Sequence, residues 1–472
     1  MVFAAEWCMV RGLRLLLLLD AAGMLVASSI TDPIIGDVAL APLLLVSVLG
    51  GIACLSGDLV RPRRRIAVVC SSLTIVAPFP FLALGAPWGP RAAGVAVATL
   101  QVVPLVRARG AARAPSSAPR SVVSALVGMT AVLLVLVVAL VWYGSTYLLA
   151  APKGAFDRAP YLTRLTATEA DLSWQAAGGR AVQFRAGAPG KETVTARGGR
   201  LTGLAPGTRY TWTANIAGAS AAAGAFTTAP DASSTAHVRL VAFGDYGSGN
   251  AHEYAVGRLA AAADPNLFLS AGDNAYLLAS PPLLDRAIFR PLRALLGEAM
   301  PVITLGEHDL AWNDGSAVIS AFHLPGHHYA VQYGPVQVVV LGLQADSSAL
   351  SYAARTLGRC AHPCPVRFVL AHRPIDAANP IMPLLRSRGV AAILAAHLHR
   401  YERHDRAGVL QFTLGTGGEG PGSAQFTQAT PDALVSFIAY GFLQIDVGGG
   451  RIDYRFVDET GDVRDEVRQT FP

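Results

Sequence analysis

The sequence predicts three kinds of structure in one chain: a helical membrane segment of about five spans (1–150), an all-β sandwich (155–230) and a layered α/β unit (236–460). Three observations predict it. Of 472 residues, 52% are hydrophobic and only 15% charged, and the mean hydropathy is +0.40; ordinary soluble domains carry about 25% charged residues. Charge is divided unevenly: residues 1–150 hold 11 Arg and 5 acids, whereas residues 151–472 hold 27 basic and 27 acidic residues. All 11 His lie between His237 and His404. The length suits about three domains, and the composition excludes a disordered chain. Basic residues are not gathered in the folded part, which argues against a nucleic-acid partner.

The first unit rests on apolar stretches at 13–30, 34–56, 66–86, 91–106 and 122–142, against the roughly 20 residues that cross a bilayer. Asp20 interrupts the first, and the fourth is short and contains Gln101. Arg11 and Arg14 precede the first stretch, Arg61, Arg63, Arg64 and Arg65 follow the second, and Arg107, Arg109, Arg113 and Arg120 follow the fourth. The alternate loops hold only Arg91. The positive-inside rule then predicts a multi-pass protein of the cytoplasmic membrane, with the bilayer as a partner and everything after about residue 145 on the extracytoplasmic side. A cleaved signal peptide fits poorly, because apolar stretches continue for over a hundred residues. Cys360 and Cys364 form C-A-H-P-C. On the outer side a disulfide is open to them; zinc is the alternative, with His362 near but further ligands needed.

The β-sandwich follows a linker containing Pro152, Gly154 and Pro160. Short alternating runs at 162–167, 170–174, 181–185 and 193–196 are separated by Gly/Pro-rich turns, the pattern of a sandwich. The segment 201–212, ending Arg209-Tyr210-Thr-Trp212, resembles the corner of fibronectin type III domains. The resemblance implies that the Tyr210 hydroxyl bonds back to upstream backbone. No side chain in this part suggests chemistry, so a spacer or brace is expected.

From His237 onward, candidate strands at 238–243, 267–270, 302–305, 336–343, 366–370, 391–395 and 409–414 alternate with Ala-rich, helix-prone stretches. The chemistry-bearing residues lie just after these strands, where α/β folds place their sites. The tips read Gly-Asp245-Tyr-Gly247, Gly-Asp273-Asn-Ala-Tyr276, Gly-Glu307-His308-Asp309, Val369-Leu-Ala-His372 and His397-Leu-His399. Carboxylates, imidazoles and one phenol are hard-to-borderline donors, suited to two neighbouring ions such as Fe, Mn or Zn.

In their order and spacing these motifs resemble D-x-G, G-D-x-x-Y, G-N-H-[DE], V-x-x-H and G-H-x-H of the calcineurin-like metallophosphoesterases, most closely the purple acid phosphatases. The resemblance covers about residues 237–460 and implies a four-layer α-β-β-α sandwich that hydrolyses phosphate esters with two metal ions, iron with iron, zinc or manganese. It implies that Asp245, Tyr276 and His399 hold the first metal, that Asp273 bridges, and that Glu307, His372 and His397 complete the second. It further implies a metal-bridged hydroxide as nucleophile. His308 would contact the substrate and protonate the leaving oxygen, with Asp309 orienting it. Related phosphoesterases place a His where Gly247 stands, and Tyr276 would supply the missing ligand.

Two residues depart from the motifs. Glu307 replaces Asn, adding a negative charge and a methylene. Ala396 replaces the Gly of G-H-x-H; a methyl is tolerated there unless φ must be positive. Asn250 and His323 are candidate substrate contacts, His252 can be placed beside Asn250, and the loop Gly415-Thr-Gly-Gly418 resembles a family loop near the site. His404 beside Asp405 reads as a surface pair. The function expected is a membrane-anchored extracytoplasmic phosphoesterase. The alternative is a membrane sensor or binding protein that keeps the fold and has lost turnover through Glu307; an intact His308–Asp309 pair argues against it.

Overall fold

A computed structural model describes residues 155–472, apart from 192, 197, 218, 277–278, 359–364, 421–427 and 471–472. The described chain is mostly β-sheet, with short helices. Here the predicted fold class is corrected. Among the described residues no helix is long and apolar enough to cross a membrane. The longest, α1 (Ala251–Ala262), has 12 residues, about 18 Å at 1.5 Å per residue, where a bilayer core is about 30 Å thick. The five stretches between 13 and 142 lie outside the described residues, as do Cys360 and Cys364. Among the described residues no five-span helical segment is seen, and a multi-pass membrane placement is not supported. Apolar runs of sufficient length permit a span; they do not establish one.

The chain from residue 155 begins with an antiparallel sandwich. Strands β1 (Phe156–Leu165), β2 (Glu169–Ala176) and β5 (Arg200–Thr202) form one sheet in the order β1-β2-β5. β3 (Val182–Gly187), β4 (Val194–Thr195), β6 (Arg209–Ile216) and β7 (Ala219–Thr227) form the other, ordered β4-β3-β6-β7. Alternation fixes which face is inward: Tyr210, Trp212, Ala214 and Ile216 of β6 are buried while Arg209, Thr211 and Thr213 are exposed. The Tyr210 hydroxyl accepts a hydrogen bond from the Ala205 N–H at 2.9 Å, tying the turn before β6 to the strand.

Two larger sheets follow. The first runs β10 (Met300–Ile303), β9 (Leu267–Ser270), β8 (Val238–Phe243), β18 (Gly441–Gly448), β19 (Arg451–Asp458), β20 (Val463–Thr470). β8, β9 and β10 are parallel and β18 to β20 antiparallel. The second runs β11 (Tyr329–Tyr333), β12 (Val336–Gly342), β13 (Val366–Ala371), β14 (Val390–Ala395), β16 (Leu410–Leu414), β15 (Tyr401–Asp405), β17 (Val435–Phe437). In it β12, β13, β14 and β16 are parallel.

Period-two burial stacks the layers. Leu240, Ala242 and Leu269 of the first sheet share a core with Val338, Val340, Phe368 and Leu394 of the second. Their neighbours Val241, Phe243, Phe268 and Ile303 point the other way, against α1 and α2 (Arg293–Glu298). Other helices are α3 (Glu307–Leu310), α4 (Ser316–Phe322), α5 (Ser347–Thr356) and α6 (Met382–Ser387), besides a single turn at Pro281–Leu284. Val339, Leu341, Val369 and Ile393 pack on α5 and α6. Strands buried on both faces explain why β14 is apolar throughout and why β8, β9 and β13 are apolar except for Arg239, Ser270 and Arg367. The sandwich packs on this body through specific bonds. Arg158 Nε meets Asp285 Oδ1 at 2.7 Å, Trp212 Nε1 donates to Gly297 O at 3.0 Å, and the Tyr333 hydroxyl donates to Thr227 O at 2.6 Å.

Candidate metal centre

Parallel strands deliver their C-terminal tips to one edge, and the polar residues singled out in the sequence gather there. The tip of β8 carries Asp245, that of β9 Asp273, that of β10 Glu307, that of β13 His372, and that of β14 His397 and His399. Asp245, Asp273 and His397 adopt positive φ values of 53°, 51° and 69°. Left-handed backbone is uncommon outside glycine and costs energy that the surrounding structure must offset. Ala396 is not among these residues, and its buried methyl packs within 2.5 Å of where a Cβ on Gly244 would lie. The methyl is tolerated, and the strained position is the histidine that follows.

Two sets of potential ligands have donor atoms within 4.8 Å of one another: Glu307, His372 and His397, and Asp245, Asp273 and His372. His372 belongs to both. Its Nδ1 lies 2.8 Å from Ala271 O, a bond that requires a proton on Nδ1 and turns Nε2 toward the carboxylates. Nε2 is 2.8 Å from Glu307 Oε2 and 3.5 Å from Asp273 Oδ2. His397 Nδ1 and Arg373 Nη2 approach Glu307 Oε1 at 2.8 and 3.0 Å. The Tyr276 hydroxyl is 3.1 Å from Asp245 Oδ1 and 3.2 Å from His399 Nε2. His399 Nδ1 meets Gly420 O. Gly247 is explained by the same packing: a Cβ there would fall 2.2 Å from Asn274 O, and Gly247 O instead accepts the Tyr276 N–H at 2.9 Å. No side chain fits at 247, so the neighbouring loop must provide the donor.

The electrostatics describe carboxylates and imidazoles crowded together, each shifting the other. Burial pushes the Asp245 carboxyl up, against the pull of His399 and His372. Burial also raises Asp273, but His372 and His308 outweigh it and hold the carboxyl below its usual range. Glu307 is held far below the usual range: hydrogen bonds to His372 and His397 overcome its burial. Burial lowers His372, yet Asp273 and Glu307 raise it well above an ordinary imidazole. Burial, then the Asp245 and Asp273 charges, push the Tyr276 phenol well up. Asp245 Oδ2 is buried and without a hydrogen-bond partner, while Glu307 Oε2 and His372 Nε2, equally enclosed, face each other at 2.8 Å. A buried carboxylate oxygen left without a donor requires an explanation, and an ion held among these groups is one.

His308 stands at the mouth, its side chain 12% exposed, with Nε2 4.0 Å from Asp273 Oδ2. Its ring lies 4.6 Å from that of Tyr276, and its backbone N–H donates to Asp273 Oδ1. Asp309, expected to orient His308, is fully buried and accepts from the Gly306 N–H and from the backbone and side-chain amides of Asn274. It anchors the Glu307 turn to the Asp273 turn. Burial and the Asp273 charge push it up to about 7. Asn250 caps α1, accepting the Glu253 N–H, while its Nδ2 donates to Gly418 O at 2.6 Å. His323 is exposed at the end of α4 with φ 53°. His252 stacks on Tyr440 and meets Glu459 Oε2 at 2.7 Å. His404 is buried between Glu402 and Asp432 rather than on the surface, because it alternates with exposed Asp405 along β15.

Three residues escaped the sequence reading. Asn274 links Tyr246, Ser270, Thr304 and Asp309. Glu419 donates its N–H to Asp245 O at 2.8 Å, so the Gly415–Gly418 loop closes over the first tip. Arg373 holds Glu307. Asn274 and Arg373 each follow a motif residue directly, which was the available signal.

The fold is similar to those of known structures. The purple acid phosphatase PPD1 from yellow lupin (Lupinus luteus) seeds matches with a TM-score of 0.56 at 15% identity, over 67% of this chain and 75% of that one. The structure of PhoD matches with a TM-score of 0.47 at 11% identity, over 66% and 88%. No family model matches the chain, and no curated protein does. At this identity the lupin likeness shows a shared fold.

Proposed function

We propose that the chain is a phosphoesterase that works with two metal ions, iron with iron, zinc or manganese. The observation that carries this reading is the convergence of carboxylates and imidazoles in two ligand sets that share His372, with Asp245 Oδ2 buried and without a partner among them. The fold shared with a purple acid phosphatase supports it. Asp245, Tyr276 and His399 would hold one ion, Glu307, His372 and His397 the other, with Asp273 between them. Carboxylate, imidazole and phenol suit such ions. Tyr276 must lose its proton to serve as a ligand, which favours a strongly polarising ion such as ferric iron at that position.

The ions would supply positive charge to the phosphoryl oxygens and a water acidic enough to attack. The protein's own groups do the rest. Ala271 O fixes the His372 tautomer, and Gly420 O is placed to do the same for His399. Asp309 and Asn274 lock two ligand turns together. His308, at the mouth and close to Asp273, is placed to contact the ester and give a proton to the leaving oxygen.

The test is turnover of a chromogenic phosphomonoester by the purified chain, with and without chelator. Hydrolysis that disappears with the metals and returns with them supports the reading. A chain that retains two metals and does not hydrolyse phosphomonoesters or phosphodiesters would sink it.

A further inference from the structure

Arg373 follows His372 at the end of β13. Its Nη2 donates to Glu307 Oε1 at 3.0 Å, and its side chain remains 43% exposed. The Nε is enclosed, so the part of the guanidinium that a ligand can reach is its terminal end, whose two nitrogens form a planar fork matched to two oxygens of a carboxylate or phosphate. Glu307 holds one of these nitrogens against the ligand cluster. A guanidinium carries five N–H donors, more than this single carboxylate oxygen uses.

We propose that Arg373 binds the phosphoryl oxygens of the substrate, and that Glu307 holds it in position to do so. The inference rests on the phosphoesterase reading above and assigns it a further substrate contact. It also accounts for Glu307 standing where the motif has Asn. The carboxylate adds a negative charge beside a site that must attract an anion, and the guanidinium against it offsets that charge. An Asn would neither need the offset nor hold the arginine as firmly, because ionised pairs make the stronger hydrogen bonds. The ligand class is a tetrahedral oxyanion, whether phosphate or a phosphate ester.

The experiment uses the full chain, with metals counted by elemental analysis and inorganic phosphate titrated calorimetrically into wild type, Arg373→Met and Arg373→Lys. Loss of charged hydrogen bonds predicts phosphate binding about ten- to a hundredfold weaker in Arg373→Met, with both metals retained. Arg373→Lys, which keeps the charge and loses the fork, should fall between. Wild-type phosphate affinity in Arg373→Met would overturn the proposal. If Arg373→Met loses a metal, Arg373→Lys decides: two metals with weakened phosphate binding uphold the contact, and two metals with wild-type phosphate binding overturn it. A wild-type chain that takes up neither metals nor phosphate would remove the phosphoesterase reading, and this proposal with it.

Discussion

Glu307 is the residue at which the site's charge is most open to test. Its Oε1 meets His397 and Arg373, and its Oε2 lies 2.8 Å from His372 Nε2. Glu307→Asn trades a carboxylate donor for a carbonyl and leaves the Arg373 charge without its counterpart. Metal affinity at that position should fall, and competition with a metallochromic chelator reads it; unchanged affinity would mean that Glu307 is not a ligand. His308 tests differently. His308→Ala should keep both metals and lose about 10²–10⁴-fold in turnover, the usual size of a general-acid effect. The loss should shrink for esters with good leaving groups, which depart without a proton. Equal losses for good and poor leaving groups would leave His308 as a binding contact alone. The residues that cluster at the strand tips were legible in the sequence because each follows a strand and motif spacing preserves that order. The role given to Asp309 was not, because a carboxylate beside a histidine in sequence can turn inward, as this one does toward Asn274 and Gly306.

Whole elements were legible where burial is two-sided. Val238–Phe243 and Leu267–Ser270 were read with the bounds the structure shows, and β10, β12, β13, β14 and β16 within two residues at each end. Their apolar runs leave little alternative. The strands that went unread are those whose pattern is mixed. β20 reads Val-Arg-Asp-Glu-Val-Arg-Gln-Thr and is largely exposed, so no apolar run marks it, and its sheet continues past residue 460 where the sequence reading stopped. β15 carries buried Glu402 and His404, residues that hydropathy assigns to the surface. Asn250 shows how a polar residue can be drawn to an element end: proposed as a phosphate contact, it caps α1 and holds Gly418. Asn250→Ala should therefore cost about 1 kcal/mol of stability, read by denaturant unfolding, with ligand-loop order reduced as well. Unchanged stability with weakened phosphate binding would instead restore the substrate role.

At the scale of the whole molecule, metal binding and folding are linked through protons. His372 is raised well above an ordinary imidazole in the metal-free site because Asp273 and Glu307 overcome its burial. Metal uptake must expel that proton, so affinity should fall as pH drops, by about tenfold per pH unit for each proton displaced. Calorimetry in buffers of different ionisation enthalpy should show proton release on binding; its absence would mean that the ring is already neutral. The same linkage makes the metals a source of stability, and removing them should lower the unfolding temperature. The largest correction also belongs at this scale. The apolar stretches before residue 150 led the sequence reading to a membrane segment, whereas the described chain is a β-sandwich seated on a layered body, with no helix among the described residues able to cross a bilayer. The most direct measurement of the central claim is the metal content per chain in wild type and in Asp273→Ala. Asp273 belongs to one ligand set and lies 3.5 Å from the Nε2 of His372, which is common to both; as the proposed bridge it should be needed for both ions, so the account predicts two ions in the wild type and neither in the variant, with hydrolysis lost together with them. Equal metal content in the two proteins would contradict the dinuclear centre.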